Sequence, residues 1–320
     1  MNAELVQRHT LTNRIQTLLL LCVMGGFLAL LGWLLWGPGG MVWLLIPALV
    51  LFMFNPLASP ELLMRLYRAS PLTPEQAPAL YGAVTELSRR AGLPRTPTLY
   101  YLPSRMVNAF ATGSQQRAAI AITDGLLRSL DSREAIAVLA HEISHIQHND
   151  MRVMGLADLF SRLTSTLSLF GQLLLLLNLP LLIFSNVAIN WFAILILIFA
   201  PNLSALAQLG LSRTREYAAD LNAAMLTGDP EGLARALIRI ERQQGSFLEQ
   251  IIFPGRHTPE PSLLRTHPPT EERVRRLREL QLPPGRGPLG PPVQASFLPG
   301  ELLDYPVNRR PRWHISGLWH

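Results

Sequence analysis

The sequence is poor in cysteine and in charged residues, and it contains no lysine. Its single cysteine, Cys22, lies within an apolar stretch, which excludes a disulfide framework and a metal site built from cysteine thiolates. A metal site in this chain would have to use histidines and carboxylates. The 28 basic residues are all arginines, and they lie near apolar segments without forming a stripe of the kind that binds nucleic acid. We therefore expect no nucleic-acid partner.

Charged residues make up 16% of the 320 residues and hydrophobic residues 49%, a balance that indicates a membrane protein. Residues 15–36 carry no charge, and a helix of that length crosses the roughly 30 Å hydrocarbon core of a bilayer. A second apolar run follows the turn at residues 37–40. We therefore predict a transmembrane hairpin over residues 15–57.

A second long apolar region, residues 164–209, predicts another transmembrane hairpin with passes near residues 165–184 and 189–207. Polar side chains in this region, among them Gln172 and Asn178, would be costly in lipid, which leaves packed interfacial helices as an alternative. Arginines flank the outer ends of both hairpins and are absent from their turns. By the positive-inside rule, both termini and the segments outside the hairpins then lie in the cytoplasm. We expect the membrane to be the plasma or inner membrane.

The chain contains a His-Glu-x-x-His motif, the pattern of zinc proteases. On a helix its histidines, His141 and His145, lie one turn apart and can bind a single ion, with Glu142 beside them as a general base. A capping box at residues 131–134 predicts that the motif lies inside a helix. The same pattern also arises by chance, with histidines that only face an apolar core.

A catalytic zinc site needs a third protein ligand and carboxylates behind its histidines. The segment of residues 212–220 predicts the start of a helix that carries Glu216 and Asp220 on one face. We expect Glu216 to be the third ligand and Asp220 to orient a histidine. His148, two turns after His141, competes for the ligand role, although three ligands from one straight helix would be strained. A solvated Glu216 that pairs with neighbouring arginines is the plainer alternative.

Three short runs predict a small sheet before the motif helix: residues 98–102, 107–112 and 117–122. Residues 108–113 combine small side chains with one polar side chain. This composition would let an extended peptide pair with the strand backbone, but an ordinary strand has the same composition.

Other segments predict helices and a tail. A helix capped by Thr73 is predicted over residues 73–91, and another over residues 229–244. His267 precedes a Pro-Pro helix start, where a histidine either caps the helix or contacts a substrate. Residues 283–320 are rich in proline and glycine and predict a mostly disordered tail.

Together, residues 108–113, 141–145, 212–220 and 266–273 resemble the HtpX family of membrane-bound zinc metalloproteases, which are gluzincins related to the prenyl-protein (CAAX) proteases. The resemblance covers about residues 10–280. It implies an α+β fold, in which a mainly helical gluzincin-type protease domain with a small β-sheet is joined to two transmembrane helical hairpins.

The predicted organisation has six parts. They are a cytoplasmic N-terminal segment (1–14), the first transmembrane hairpin (15–57), the first part of the protease domain with the zinc-binding helix (58–163), the second hairpin (164–209), the second part of the protease domain with the third ligand (210–282), and the tail (283–320).

The resemblance also implies one Zn²⁺ per chain. It implies that His141, His145 and Glu216 are the zinc ligands, that Glu142 is the general base, and that Asp220 orients a ligand histidine.

Two further roles are implied by the resemblance. His267 matches a histidine that stabilises the oxyanion, and a substrate-binding edge strand would include Asn108, Ala109, Phe110 and Ala111. The implied partners are protein or peptide substrates, chiefly membrane proteins, and the lipid bilayer. The sequence predicts no oligomeric state.

The implied function is zinc-dependent cleavage of membrane or misfolded proteins at the cytoplasmic face, in protein quality control. A prenyl-protein protease is the nearest alternative, but such enzymes have more membrane spans than this length allows. An intramembrane protease would need a less polar motif helix. A non-catalytic membrane adaptor or holdase is a third alternative, against which the intact motif argues.

Overall fold

The computed structural model describes residues 3–37, 39–40, 42, 46, 59–180, 191–245 and 268–280. The helices are α1 (Ala3–Trp36), α2 (Pro60–Leu66), α3 (Pro78–Arg90), α4 (Asp124–Ser129), α5 (Ser132–Gln147), α6 (Asp150–Leu177), α7 (Trp191–Thr227), α8 (Pro230–Gly245) and α9 (Thr270–Glu279). The strands are β1 (Ser70–Pro71), β2 (Thr98–Leu102), β3 (Ala109–Ser114) and β4 (Arg117–Thr123). The described part of the chain is therefore mostly helical with one small sheet, as the sequence predicts.

The chain divides into two compact units, and the first contains residues 1–6, 56–151 and 215–320. Its sheet has the strand order β1-β2-β4-β3, in which only β2 and β4 run parallel. β4 is buried from Ala119 to Thr123 because it lies between two strands and is covered by helices. β3 forms one edge of the sheet, so one side of its backbone does not pair with another strand of the described sheet.

The core of the first unit surrounds α5. Aliphatic side chains of α3, α5 and α8 pack with those of β2 and β4 in one cluster, and almost every residue of α5 from Glu134 to Ile146 is buried. The helix begins where the sequence predicts, since Asp131 accepts a hydrogen bond from the Glu134 backbone and Glu134 accepts one from the Asp131 backbone. The His-Glu-x-x-His motif is thereby held in the middle of a buried helix.

One helix begins later than the sequence predicts. Thr73 and Gln76 do exchange the two hydrogen bonds of a capping box, but α3 begins only at Pro78. The proline ring disfavours helical geometry at the preceding residue, and Ala77 has φ −138° and ψ 60°. The reciprocal bonds therefore close an isolated turn that precedes the helix.

The second unit contains residues 7–55 and 152–214 and includes the apolar parts of α1, α6 and α7. Among the described residues, three stretches are long and apolar enough to cross a membrane: Ile15–Leu34, Asp150–Leu177 and Ile194–Thr227. Small clusters hold this unit together, one of them made of Leu28, Leu31, Leu167, Leu197 and Ala200. Large apolar side chains elsewhere on these helices are exposed, as lipid-facing side chains would be.

The helices of the second predicted hairpin are longer than the sequence indicates. α6 begins at Asp150, and α7 runs without a break through Ser212, where the sequence predicts a helix start. Most of the second helix of the first predicted hairpin lies outside the described residues, as do residues 181–190 and the predicted tail. The division into two complete hairpins stays a prediction.

Candidate metal centre

Two helices of the first unit bring three potential metal ligands together. α5 supplies His141 and His145, whose Nε2 atoms lie 3.1 Å apart, and α7 supplies Glu216. One Glu216 carboxylate oxygen lies 3.4 Å from His141 Nε2 and the other 3.6 Å from His145 Nε2. Ligands held at about 2.0–2.1 Å around a tetrahedral ion are about 3.3 Å from one another, so these atoms fit a zinc-sized ion. Among the described residues, these three side chains form a group that could hold a metal ion.

A carboxylate lies behind each histidine. His141 Nδ1 lies 3.0 Å from Asp220 Oδ1, although the contact lacks the alignment of a hydrogen bond. His145 Nδ1 forms a 2.7 Å hydrogen bond with Asp150 Oδ2. In each ring the Nε2 atom is the one that faces the ligand cluster, and the other nitrogen faces a carboxylate.

Each of these carboxylates is bound by a buried arginine. Arg273 of α9 donates two hydrogen bonds to Asp220, at 2.7 and 2.6 Å, and lies 3.2 Å from a Glu216 oxygen. Arg215 of α7 donates to Asp150 Oδ1 and, at 3.0 Å, to the backbone carbonyl of His148. On each side of the ligand cluster, therefore, an arginine binds an aspartate, and that aspartate faces one of the two histidines.

The charges of the buried side chains favour a divalent cation. Four carboxyl groups and two guanidiniums are buried around the cluster, so the formal negative charge exceeds the positive charge by two; these residues are Glu142, Asp150, Glu216, Asp220, Arg215 and Arg273. Burial by itself lowers the pKa of His145, but Asp150 and Glu216 raise that pKa well above its usual value. The same balance, with Asp220 and Glu216 as the carboxylates, raises the pKa of His141. The cluster thus attracts positive charge, which an ion of charge two would supply.

Glu142 lies beside the ligands and contacts the edge strand. Its Oε2 accepts a 2.9 Å hydrogen bond from the backbone N–H of Ala111 in β3, on the side of that strand that does not pair with β4. Burial raises the pKa of the Glu142 carboxyl, while the two histidines lower it. The arrangement places the Glu142 carboxyl, which can exchange a proton, at the edge of β3 that pairs with no other strand of the described sheet.

The structure does not bring every predicted residue to the ligands. His148 is exposed, and its Nδ1 bonds to the Ser144 backbone carbonyl at 2.8 Å, so it is not part of the ligand cluster. Asn108 lies just before β3, where its backbone exchanges hydrogen bonds with Thr123, while Ala109, Phe110 and Ala111 lie within β3. His267 lies outside the described residues.

Three residues at the centre were missed by the sequence analysis: Asp150, Arg215 and Arg273. A signal existed for two of them. Asp150 lies five residues after His145, the last residue of the motif, and Arg215 precedes the predicted ligand Glu216. The sequence contained nothing that would direct Arg273 to Asp220, which lies 53 positions earlier in the chain.

Comparison with known proteins identifies the family of this chain independently of the site geometry. Residues 74–281 match peptidase family M48. A protein described as Protease HtpX homolog from Desulfatibacillum aliphaticivorans is 35% identical over 300 residues, covering 87% of this chain and 93% of the relative. Another Protease HtpX homolog, from Pyrococcus furiosus, is 34% identical over 85% of this chain and 97% of its own. The crystal structure of S. mikatae Ste24p aligns with 84% of this chain and 66% of that chain, at 25% identity and a TM-score of 0.45.

Proposed function

Because this chain belongs to peptidase family M48 and is a membrane metalloprotease related to the HtpX proteases, we propose that its metal is zinc and that it cleaves membrane or misfolded proteins at the cytoplasmic face. The observation that carries the proposal is the convergence of His141, His145 and Glu216 within 3.1–3.6 Å of one another. Nitrogen and oxygen donors in this number leave a fourth position open, as in catalytic zinc sites. The substrates of such an enzyme are proteins or peptides.

Bound by these three ligands, zinc would lower the pKa of a water molecule towards neutrality and polarise the carbonyl of the scissile peptide bond. Glu142 accepts a proton from the attacking water and then passes it to the nitrogen of the leaving amine. Its buried position supports this role, since burial raises the pKa of its carboxyl towards the range in which a proton is both accepted and released. Asp220, whose Oδ1 lies 3.0 Å from His141 Nδ1, orients the His141 ring.

The open edge of β3 is proposed to bind the substrate backbone. The hydrogen bond from Ala111 N–H to Glu142 supports this, because it joins the free side of the edge strand to the proposed general base. An extended peptide that pairs with Ala109, Phe110 and Ala111 would run past the ligand cluster, with Asn108 at the end of the strand.

His267 is proposed to stabilise the negative charge that develops on the carbonyl oxygen. It directly precedes Pro268, which is buried at the start of the segment that leads into α9. That helix carries Arg273 to Asp220, so the chain six residues after His267 is bound to the carboxylate behind a proposed ligand.

The plasma or inner membrane location and the cytoplasmic site rest on the arginine distribution around the apolar segments. Both segments that carry the proposed ligands lie next to apolar segments in the sequence. The motif helix is followed by α6, which begins at Asp150, and Glu216 follows the apolar part of α7. Substrates that emerge from the bilayer fit this arrangement, as does a role in protein quality control. We keep the six-part organisation of the chain as part of this proposal.

The test is to purify the full chain in detergent with a chelator present and to measure cleavage of casein, and of the chain itself, when zinc is added. The wild type is expected to cleave, whereas Glu142→Gln keeps one zinc per chain and loses activity by a factor of about 10² or more. His141→Ala is expected to lose both zinc and activity. A Glu142→Gln protein with activity near that of the wild type would contradict the assignment.

The same preparation separates the rival functions. Cleavage of a prenylated peptide in preference to an unfolded membrane protein would identify a prenyl-protein protease. Binding of unfolded protein by metal-free chain, without cleavage in any condition, would identify an adaptor or holdase.

A further inference from the structure

Asp150 and Arg215 lie behind His145, on the side of its ring away from Glu216. His145 Nδ1 bonds to Asp150 Oδ2, and Arg215 donates to the other oxygen, Asp150 Oδ1. All three side chains are buried or nearly so, with exposures of 13%, 5% and 10%. Water therefore has little access to either contact.

Each atom in this chain of contacts has one possible role. An arginine guanidinium only donates hydrogen bonds, and an ionised carboxylate only accepts them. Asp150 therefore accepts from Arg215 with one oxygen and from His145 with the other. The proton of the neutral His145 ring is then on Nδ1, and Nε2 keeps the lone pair that a metal ion needs.

We propose that Asp150 and Arg215 are positioning residues that fix the tautomer of His145, so that its Nε2 is always available to the metal. The inference rests on the proposed ligand set. Arg215 and Glu216, which are adjacent in the sequence, then have linked roles. Glu216 supplies one ligand, and Arg215 acts through Asp150 on a second ligand, His145. A further contact, from Arg215 to the His148 carbonyl at the end of α5, holds the guanidinium in this position.

An asparagine at position 150 would reverse the tautomer while Arg215 is present. The amide has one accepting oxygen and one donating nitrogen. Because Arg215 requires the oxygen, the NH₂ group would face His145 Nδ1, which must then accept. The ring proton would move to Nε2, the atom that faces His141 and Glu216, where it would compete with the metal ion for the lone pair.

Removing the arginine as well should restore the ligand. In the double variant Asp150→Asn with Arg215→Met, no donor requires the amide oxygen, so the side chain can turn that oxygen towards His145 Nδ1. The second substitution is therefore expected to repair the damage of the first, which a loss of packing or of a salt bridge would not do.

The experiment measures the dissociation constant of zinc by competition with a chromogenic chelator, using full-length chain in detergent. Every protein carries Glu142→Gln, so that none cleaves itself. Asp150→Asn is expected to weaken zinc binding about 100-fold, at the upper end of the effect of partners behind metal ligands. The double variant is expected to bind at least 10-fold more tightly than Asp150→Asn alone. Thermal unfolding of the metal-free proteins reports whether each variant folds.

Asp158→Asn is the matched control, since it makes the same substitution in the same helix, α6, at an exposed carboxylate that pairs with Arg162. Its zinc affinity is expected to stay within twofold of the parent. Equal affinities for Asp150→Asn and Asp158→Asn, or a double variant that binds zinc no better than Asp150→Asn, would overturn the inference.

If Asp150→Asn does not fold, the double variant decides, because it buries no unpaired charge. Zinc affinity within 10-fold of the parent supports the inference, and a greater loss overturns it. A parent protein that binds no zinc would overturn the ligand set itself, which separates a failure of the proposed function from a failure of this inference.

Discussion

At the scale of single residues, the neighbours of a histidine decide whether it can bind a metal. His141, His145 and His148 follow one another at helical spacing. Of these three, only the first two have a carboxylate near Nδ1 and an Nε2 atom within 3.4–3.6 Å of Glu216. His148 uses its Nδ1 to cap a carbonyl of its own helix.

We therefore predict that His148→Ala leaves zinc binding unchanged. The stoichiometry should stay at one zinc per chain and the dissociation constant within twofold of the parent, because the exposed ring lies outside the ligand cluster. His145→Ala, measured in parallel by the same chelator competition, should lose the metal. A weakened site in His148→Ala would restore this histidine as a ligand.

Arg273 carries a second prediction at this scale. Its guanidinium lies between Asp220 and Glu216 and the side chain is 6% exposed, so Arg273→Gln would remove a buried positive charge from two buried carboxylates. Breaking a buried pair in this way costs about 3–5 kcal/mol of the free energy of unfolding. Denaturation of the metal-free protein in detergent measures the loss. Arg275→Gln, which removes an exposed pair with Glu272 from the same helix, should unfold like the parent.

At the scale of elements, the hairpin of β3 and β4 depends on one glycine. Gly113 has φ +96°, and a Cβ there would lie 2.1 Å from the Arg117 carbonyl oxygen and 2.6 Å from Pro60. The turn that aligns the edge strand with Glu142 thus tolerates no side chain at this position.

Gly113→Ala is accordingly expected to destabilise the protein by about 1–3 kcal/mol and to reduce proteolysis, because it distorts the proposed substrate strand. Gly82→Ala is the matched control, since a Cβ at Gly82 within α3 meets no atom within 4 Å. That substitution should stabilise the protein by about 0.5–1 kcal/mol. Thermal unfolding that moves in the same direction for both variants would contradict the prediction.

At the scale of the whole molecule, the proposed orientation places the turn of the first hairpin outside the cytoplasm and the first unit inside. Cys22 is the single cysteine of the chain, so a Cys22→Ser protein gives a background for cysteine labelling. In intact spheroplasts, a membrane-impermeant maleimide is expected to label Gly39→Cys. It should label Glu75→Cys, at an exposed position in the first unit, only after permeabilisation. The reverse pattern would invert the topology.

Elements whose causes are local can be predicted from the order of the residues alone. The capping box fixes the start of α5 because Asp131 and Glu134 are three positions apart, and the spacing of His141 and His145 puts both rings on one helical face. Strand β2 begins and ends at the predicted residues. The start of α3 also has a local cause: the predicted start at Thr73 is wrong because Pro78 disfavours helical geometry at Ala77.

The contacts between side chains that are far apart in the sequence depend on how the helices pack. Asp150 and Arg215, like Arg273 and Asp220, come from different helices, and their ion pairs form because the fold buries them together. Charged residues that lie far apart in the sequence form one buried cluster, in which the carboxylates outnumber the guanidiniums by two. Local sequence patterns do not predict these contacts, because helical spacing shows which residues share a face of a helix but not which other element packs against that face. The grouping of His141, His145, Glu216 and Asp220 could be predicted from the sequence, whereas the contacts of Asp150, Arg215 and Arg273 could not.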